Sequence, residues 1–158
     1  MKAIGLNHVS IVARQLHESV AFYMDVFGLE PVATPNFGFP VQWLRVGELQ
    51  LHLFERPDGP PTYHHLAFAV DDFEALYTRA GEADLFDAVT FGHHLFELPN
   101  GIAQLYLRDP AGNLVEIDSL HAETLSPDIR ANMKRLADMQ PQSAENLRAT
   151  LFALPLPA

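Results

Sequence analysis

Cysteine is absent from the 158-residue chain. Its absence excludes a disulfide framework, a thiolate metal site and a cysteine nucleophile, so the candidate ligands are the eight histidines and the carboxylates. Basic residues are also scarce, because ten Lys and Arg against twenty Asp and Glu give a formal net charge of −10. Such a surface repels phosphate backbones and anionic lipid. We therefore expect a small-molecule partner, with no nucleic-acid binding and no membrane binding.

Long apolar runs are missing as well. None approaches the roughly 18 to 20 residues of a membrane span, and the stretch 1–6 is too short for a signal peptide. We therefore expect a cytoplasmic protein. The length and the 48% hydrophobic content are typical of one compact domain.

One order of elements occurs twice along the chain and indicates an internal repeat. Each copy has an alternating strand that starts at a histidine, then an amphipathic helix, then further strands. The predicted strands lie near 7–12, 29–33, 41–46 and 49–54 in the first copy, and near 65–70, 88–91, 102–107 and 114–117 in the second. The repeat predicts an α+β fold of two βαβββ modules.

The helix boundaries are predicted from capping residues. The first helix carries Leu16, Val20, Tyr23 and Phe27 on one face and ends at Gly28. In the second helix, Phe73, Leu76 and Ala80 share a face, with Asp71 or Asp72 as N-cap and Gly81 as the stop.

Beyond His121 the pattern changes. The pair Ser126-Pro127 is typical of a helix start, and Ile129, Met133, Leu136 and Met139 form an apolar stripe before Pro141. A weaker helix is predicted over 143–152. We expect residues 121–158 to form a helical extension that covers a face or a partner subunit, with a partly frayed tail as an equal alternative.

Four strands carry an unusual polar face. Side chains alternate across a strand, and this places the following residues opposite the apolar face: His8 and Ser10, Gln50 and His52, His65, and Glu116 and Asp118. A solvated strand face is usually rich in Thr, Lys, Glu or Ser instead. Two imidazoles and a carboxylate from separate strands are the set that holds Fe(II), Mn(II), Zn(II) or Ni(II) with open positions for substrate. Taken singly, each histidine is more often a core or surface residue.

Three segments resemble the vicinal oxygen chelate superfamily, which includes glyoxalase I, extradiol dioxygenases, methylmalonyl-CoA epimerase and fosfomycin-resistance thioltransferases. They are Leu6-Asn7-His8-Val9, the run from His64 to Asp72, and the run from Leu105 to Glu116 that contains Asp109-Pro110-Ala111-Gly112. The resemblance covers about residues 4–120. It implies one domain over 1–120, with modules of about 4–56 and 62–120 that form a cup-shaped mixed sheet.

The same resemblance implies a site with one divalent metal, Fe, Mn, Zn or Ni. By position, His8, His65 and Glu116 match the family ligands, and His52 falls where glyoxalase-like members place a fourth, with Gln50 as a weaker alternative. Family members of this length commonly dimerise, so a homodimer is expected.

Catalytic and substrate-binding residues are expected around the metal. His52 takes the position at which glyoxalase I uses a carboxylate as base, and Tyr106 could donate a hydrogen bond to substrate or be an aromatic of the wall. Ser10 falls where the thioltransferases carry a hydroxyl. The candidate lining residues, Phe37, Phe39, Trp43, Phe54, Phe96 and Tyr106, favour a partly apolar substrate, although each is more often core.

Three chemistries are compatible with the resemblance. A glyoxalase-like lyase or isomerase stabilises an oxyanion or enolate on the metal. An extradiol-type dioxygenase acting on an aromatic substrate is the alternative, and a metal-free sequestering protein of the bleomycin-resistance kind is another. A fosfomycin-type thioltransferase is disfavoured, because no lysine occurs between Lys2 and Lys134.

Overall fold

The computed structural model describes residues 8–36, 38–62, 64–144 and 146–148. The chain divides into two compact units. The first unit comprises residues 1–64 and 108–113, and the second comprises 65–107 and 114–158. The predicted positions Asn7 and Phe37 and half of the predicted helix over 143–152 lie outside the described residues.

The first unit contains a four-stranded mixed sheet and one helix. Its elements are β1 (His8–Ala13), α1 (Leu16–Phe27), β2 (Glu30–Val32), β3 (Val41–Val46) and β4 (Leu49–Glu55). The strand order is β1-β4-β3-β2, with β1 parallel to β4 and the other pairs antiparallel. This is the predicted βαβββ order.

Helix α1 ends where the sequence predicts. Gly28 adopts φ 66°, a left-handed conformation that glycine takes without steric strain, and its N–H donates to the carbonyls at the end of the helix. The helix buries Phe22 and Tyr23, while Leu44, Leu51 and Leu53 of the sheet are almost completely buried. These residues form the core of the first unit.

The second unit repeats the order and extends it. Its elements are β5 (His65–Ala69), α2 (Phe73–Glu82), β6 (Leu95–Glu97), β7 (Ala103–Arg108), β8 (Leu114–Ser119), α3 (Pro127–Ala131), β9 (Lys134–Arg135) and α4 (Leu136–Met139), with 3-10 turns at Ala122–Thr124 and Asn146–Arg148. The sheet order is β5-β8-β7-β6-β9. The α+β class and the repeated βαβββ order are confirmed, and each unit has a sheet of its own.

Two local predictions need correction. Gly81 lies inside α2, and a Cβ there would come within 3.3 Å of the Phe86 ring, so this glycine permits close packing instead of ending the helix. No strand forms at 88–91, because the Asp87 carboxylate accepts the N–H groups of Val89 and Thr90 at 2.8 and 3.0 Å and folds the chain into a loop. The expected stop at Gly81 is replaced by a cap at Ala83.

The C-terminal extension is partly helical, as predicted, but its helix is not continuous. Helices α3 and α4 flank the two-residue strand β9, which pairs in parallel with β6 through Phe96↔Lys134 and Glu97↔Arg135. The pairing of β9 with the edge strand β6 is a tertiary contact, and the apolar helical pattern of residues 129–139 does not predict it. No helix in the part of the chain that the structure describes is long and apolar enough to cross a membrane.

Candidate metal and substrate site

Strand register in the first unit gathers the predicted polar residues onto one face. His8 is opposite Gln50 and Ser10 is opposite His52 in the β1–β4 pair, while Trp43 is opposite His52 in the β3–β4 pair. These residues line a cavity of about 590 Å³, together with Phe54 and with Glu48, to which the sequence assigned no role. Phe39 approaches the Phe54 ring at 5.8 Å and lies under the Arg56 guanidinium.

His52 is the centre of a stack of three rings. Its imidazole lies 4.2 Å from the His8 ring on one side and 4.2 Å from the Trp43 ring on the other, with interplanar angles of 13° and 5°. The Nε2–H of His52 donates to Oε1 of Gln50 at 2.9 Å, which assigns the lone pair to Nδ1. The stack fixes the orientation of both histidines.

The charge state of His52 follows from this environment. Burial and, secondarily, the charge of His8 lower the pKa of His52. The ring is therefore neutral at neutral pH, which is the form that can accept a proton or bind a metal.

The second unit brings together His65, Glu116 and Tyr106. His65 Nε2 is 3.3 Å from Oε2 of Glu116, and the other oxygen of this buried carboxylate accepts a 2.7 Å hydrogen bond from Nε2 of Gln104. Tyr106 Oη donates to Gln104 Oε1 at 3.2 Å. The predicted substrate residue Phe96 is buried 6.2 Å from the Tyr106 ring. The Gln104 side chain thus links the carboxylate and the phenol.

Tyr106 is held in its protonated form. Burial, followed by the charge of Glu116, raises the pKa of Tyr106 above its usual value. The phenol is therefore a hydrogen-bond donor at every working pH, which suits a residue that binds a substrate oxygen.

Asp118 is a further candidate for a functional residue. The sequence analysis placed it on the polar face of its strand but assigned it no role. Burial, followed by the charge of Glu116, raises the pKa of Asp118 to about 7. Nε2 of Gln104 is 3.3 Å from its Oδ1. Gln104 was missed altogether, although it lies two residues before Tyr106 and therefore on the same face of β7.

The donor atoms in the second unit fit a divalent cation. Adjacent ligands at about 2.0–2.2 Å from one metal are separated by roughly 3 Å, which is close to the distance between His65 Nε2 and Glu116 Oε2. Imidazole nitrogen and carboxylate oxygen are also the ligand types that such ions take. Within the described residues of either unit, no three His, Asp or Glu side chains are grouped closely enough to hold a metal. The predicted ligands occur there as the pairs His8–His52 and His65–Glu116.

A family model decides the membership of the chain. The model described as glyoxalase/bleomycin resistance protein/dioxygenase superfamily matches residues 5–117. The chain belongs to this superfamily. The match ends inside β8, so residues after 117, including α3, β9 and α4, lie beyond the part that the superfamily model describes.

Individual members of the superfamily are similar over most of the chain. A protein of Arabidopsis thaliana named Glyoxylase I 4 is 27% identical over 88% of this chain and 88% of its own length. The crystal structure of lactoylglutathione lyase from Agrobacterium tumefaciens is 28% identical with a TM-score of 0.58, covering 74% of this chain and 94% of that one. The structure named oxidase ChaP-H2 is 25% identical with a TM-score of 0.61, covering 75% and 94%.

Proposed function

We propose that the chain is a divalent-metal-dependent enzyme of the glyoxalase type, a lyase or isomerase that acts on a small molecule with two neighbouring oxygens. His8, His65 and Glu116 are the proposed ligands. His52, the expected fourth ligand, is proposed as the base instead, because its single free lone pair cannot both bind a metal and accept a proton. The observation that carries the proposal is the pair of donor atoms, His65 Nε2 and Glu116 Oε2, held 3.3 Å apart. The names of the lyase and the plant glyoxylase support this reaction class.

The chain's own residues have defined parts in this proposal. A bound divalent cation would stabilise the negative charge that develops on substrate oxygens. Gln104 holds the Glu116 carboxylate in place. The Tyr106 hydroxyl would exchange its hydrogen bond to Gln104 Oε1 for one to a substrate oxygen. The neutral ring of His52, oriented by stacking and by Gln50, is the proposed base that accepts and returns a carbon-bound proton.

Metal content tests the ligand assignment. We expect the purified protein to carry Mn, Fe, Zn or Ni, measured by mass spectrometry, and His65→Ala to lose most of it. His64→Ala is the matched control, because strand alternation directs neighbouring side chains to opposite faces. Stoichiometric metal in the His65→Ala protein would overturn the assignment. Metal-free protein that still binds an aromatic ligand would favour a sequestering role instead.

Activity tests the reaction class. The hemithioacetal of methylglyoxal and glutathione becomes S-lactoylglutathione when a proton leaves C1 and one returns to C2, with no net change in atoms or oxidation state. We expect metal-dependent turnover of this compound and a loss of about a hundredfold to ten-thousandfold in His52→Gln, since general base catalysis contributes that much. No turnover with any of the four metals would contradict a glyoxalase-type reaction.

A second candidate is oxygen-dependent chemistry on an aromatic compound. It is favoured by the similarity to the oxidase ChaP-H2 and by the aromatic rings of Phe96 and Phe91 beside Tyr106. Oxygen consumption with catechol and Fe(II), measured with an electrode, separates this candidate from the first.

We further propose that residues 1–120 form one domain and that the protein is a cytoplasmic homodimer. Light scattering on a sizing column tests the oligomeric state, and a mass of one chain would contradict it.

A further inference from the structure

Loop 88–94 brings an apolar ring against the phenol of Tyr106. The rings of Phe91 and Tyr106 have centroids 4.8 Å apart at an angle of 56°, yet Phe91 keeps 40% of its surface exposed. The start of the loop is fixed by the Asp87 carboxylate, which also accepts the Thr90 hydroxyl at 2.6 Å. A large apolar side chain beside a small polar centre is the usual composition of a ligand pocket.

Residues 126–135, here called the strap, hold the far end of this loop. The Nε2–H of His93 donates to the backbone carbonyl of Asn132 at 2.6 Å, and Nζ of Lys134 donates to the carbonyl of Gly92 at 3.3 Å. The strap is itself fixed at its start, where the Ser126 N–H donates to Glu74 Oε1 at 2.7 Å. The strap thus holds Gly92 and His93, the two residues that follow Phe91.

The other end of the strap is paired with the sheet. Strand β9 adds to β6, and Arg135 Nε is 3.0 Å from the Glu97 carboxylate. Phe96 precedes Glu97 in β6, and its ring is the second aromatic ring beside Tyr106. The strap therefore supports both apolar neighbours of this phenol, and it does so with residues beyond the superfamily match at 5–117.

We propose that Phe91 is a specificity-determining residue that contacts an aromatic group of the substrate next to Tyr106, and that the strap positions it. The inference rests on the proposed function for the location of the substrate's oxygens at His65 and Glu116. Phe91 supplies the apolar wall, while the Tyr106 hydroxyl and Gln104 supply the polar end. Phe96 is buried with Tyr106 and Leu114 and packs against the Tyr106 ring. The expected substrate carries a ring directly beside its two oxygens.

A pair of small chelators tests the wall without requiring turnover. Benzoylformate and pyruvate both offer two neighbouring oxygens and differ in a phenyl against a methyl group. We expect Mn²⁺-saturated protein to bind benzoylformate more tightly in titration calorimetry, and Phe91→Ala to reduce that preference by about two- to tenfold. Val89→Ala is the matched control, because Val89 lies in the same loop and is 92% exposed. An unchanged preference in Phe91→Ala would overturn the inference.

Hydrogen exchange tests the strap independently of any ligand. In His93→Ala, we expect the amides of residues 89–94 to exchange about two- to tenfold faster, and the preference for benzoylformate to fall as in Phe91→Ala. His93→Gln should restore both, because its amide N–H can donate to the Asn132 carbonyl. Arg130→Ala is the control, an exposed change within the strap. Unchanged exchange and preference in His93→Ala would overturn the positioning role.

The outcomes separate this inference from the proposed function. Hemithioacetal turnover with no Phe91-dependent preference would refute the inference alone. A Phe91-dependent preference without turnover would refute the glyoxalase-type reaction alone. Binding of neither chelator would count against both.

Discussion

Tyr23 Oη donates a 3.0 Å hydrogen bond to Oδ2 of Asp109, joining helix α1 to a turn 86 residues further along the chain. The same carboxylate accepts the N–H and the side-chain amide of Asn113 at 2.7 and 2.6 Å, and Asn113 also donates to the carbonyl of Val12. All three side chains are buried. The turn that contains Asp109-Pro110-Ala111-Gly112 is therefore a structural anchor of the first unit.

Removing the phenol hydroxyl should destabilise the first unit. Tyr23→Phe takes a donor from a buried carboxylate, and hydrogen bonds to charged groups contribute about 1.5–3 kcal/mol. Urea unfolding followed by circular dichroism measures the loss. Combining the change with Asp109→Asn should give less than the sum of the two single losses, because both remove the same bond. Additive losses would show that the bond contributes little.

The Asp109 carboxyl should make stability depend on pH. Burial raises its pKa, although the bonds from Asn113 and Tyr23 oppose the shift. A carboxyl whose pKa is higher in the folded state stabilises the fold at low pH, and that contribution is lost as pH rises through the folded value. The free energy of unfolding of the wild type, relative to Asp109→Asn, should therefore fall from pH 4 to pH 8. A difference that grows over this range would mean that the pKa is depressed.

The end of α1 provides a test of backbone strain alone. Gly28 has φ 66°, and a Cβ at this position would meet nothing within 4 Å. Gly28→Ala should cost about 1 kcal/mol through the left-handed backbone, while Gly28→Asn should cost less, because asparagine tolerates this region. Thermal unfolding of the two variants side by side measures the difference. Equal losses would point to a cause other than strain.

The ring stack gives an optical signal. Trp43 is the only tryptophan in the sequence, and one face of its indole lies against His52. His52→Ala removes this cover, so the Trp43 emission should shift to longer wavelength as water reaches the ring. His17→Ala, an exposed change on α1, should leave the spectrum unchanged. Identical spectra for wild type and His52→Ala would contradict the stack.

The sequence predicted those features that depend on local periodicity. Alternation placed His8 and Ser10 on the polar face of one strand and Gln50 and His52 on the polar face of another. The structure puts all four around one cavity. Asp72 caps α2 through its side chain, as its residue type predicts. The ligand set and its catalytic roles stay predictions.

The features that were missed depend on distant partners. The strand predicted over 88–91 is lost to the Asp87 carboxylate, and β9 exists only because β6 offers a free edge. Gln104 follows from alternation with Tyr106, but its importance becomes visible only when Glu116 and Asp118 are seen beside it. No window of neighbouring residues contains that information.

The turn at residues 108–113 belongs to the first unit, whereas most of β7 before it and all of β8 after it belong to the second. The first unit is consequently discontinuous in sequence. During synthesis, the donor group of Asn113 is made about a hundred residues after the Val12 carbonyl that accepts its hydrogen bond, so the interior of this unit cannot be completed before about half of the second unit has left the ribosome. A fragment that stops at His64 should accordingly fold poorly by itself, and a separate peptide that carries 108–113 should increase its stability.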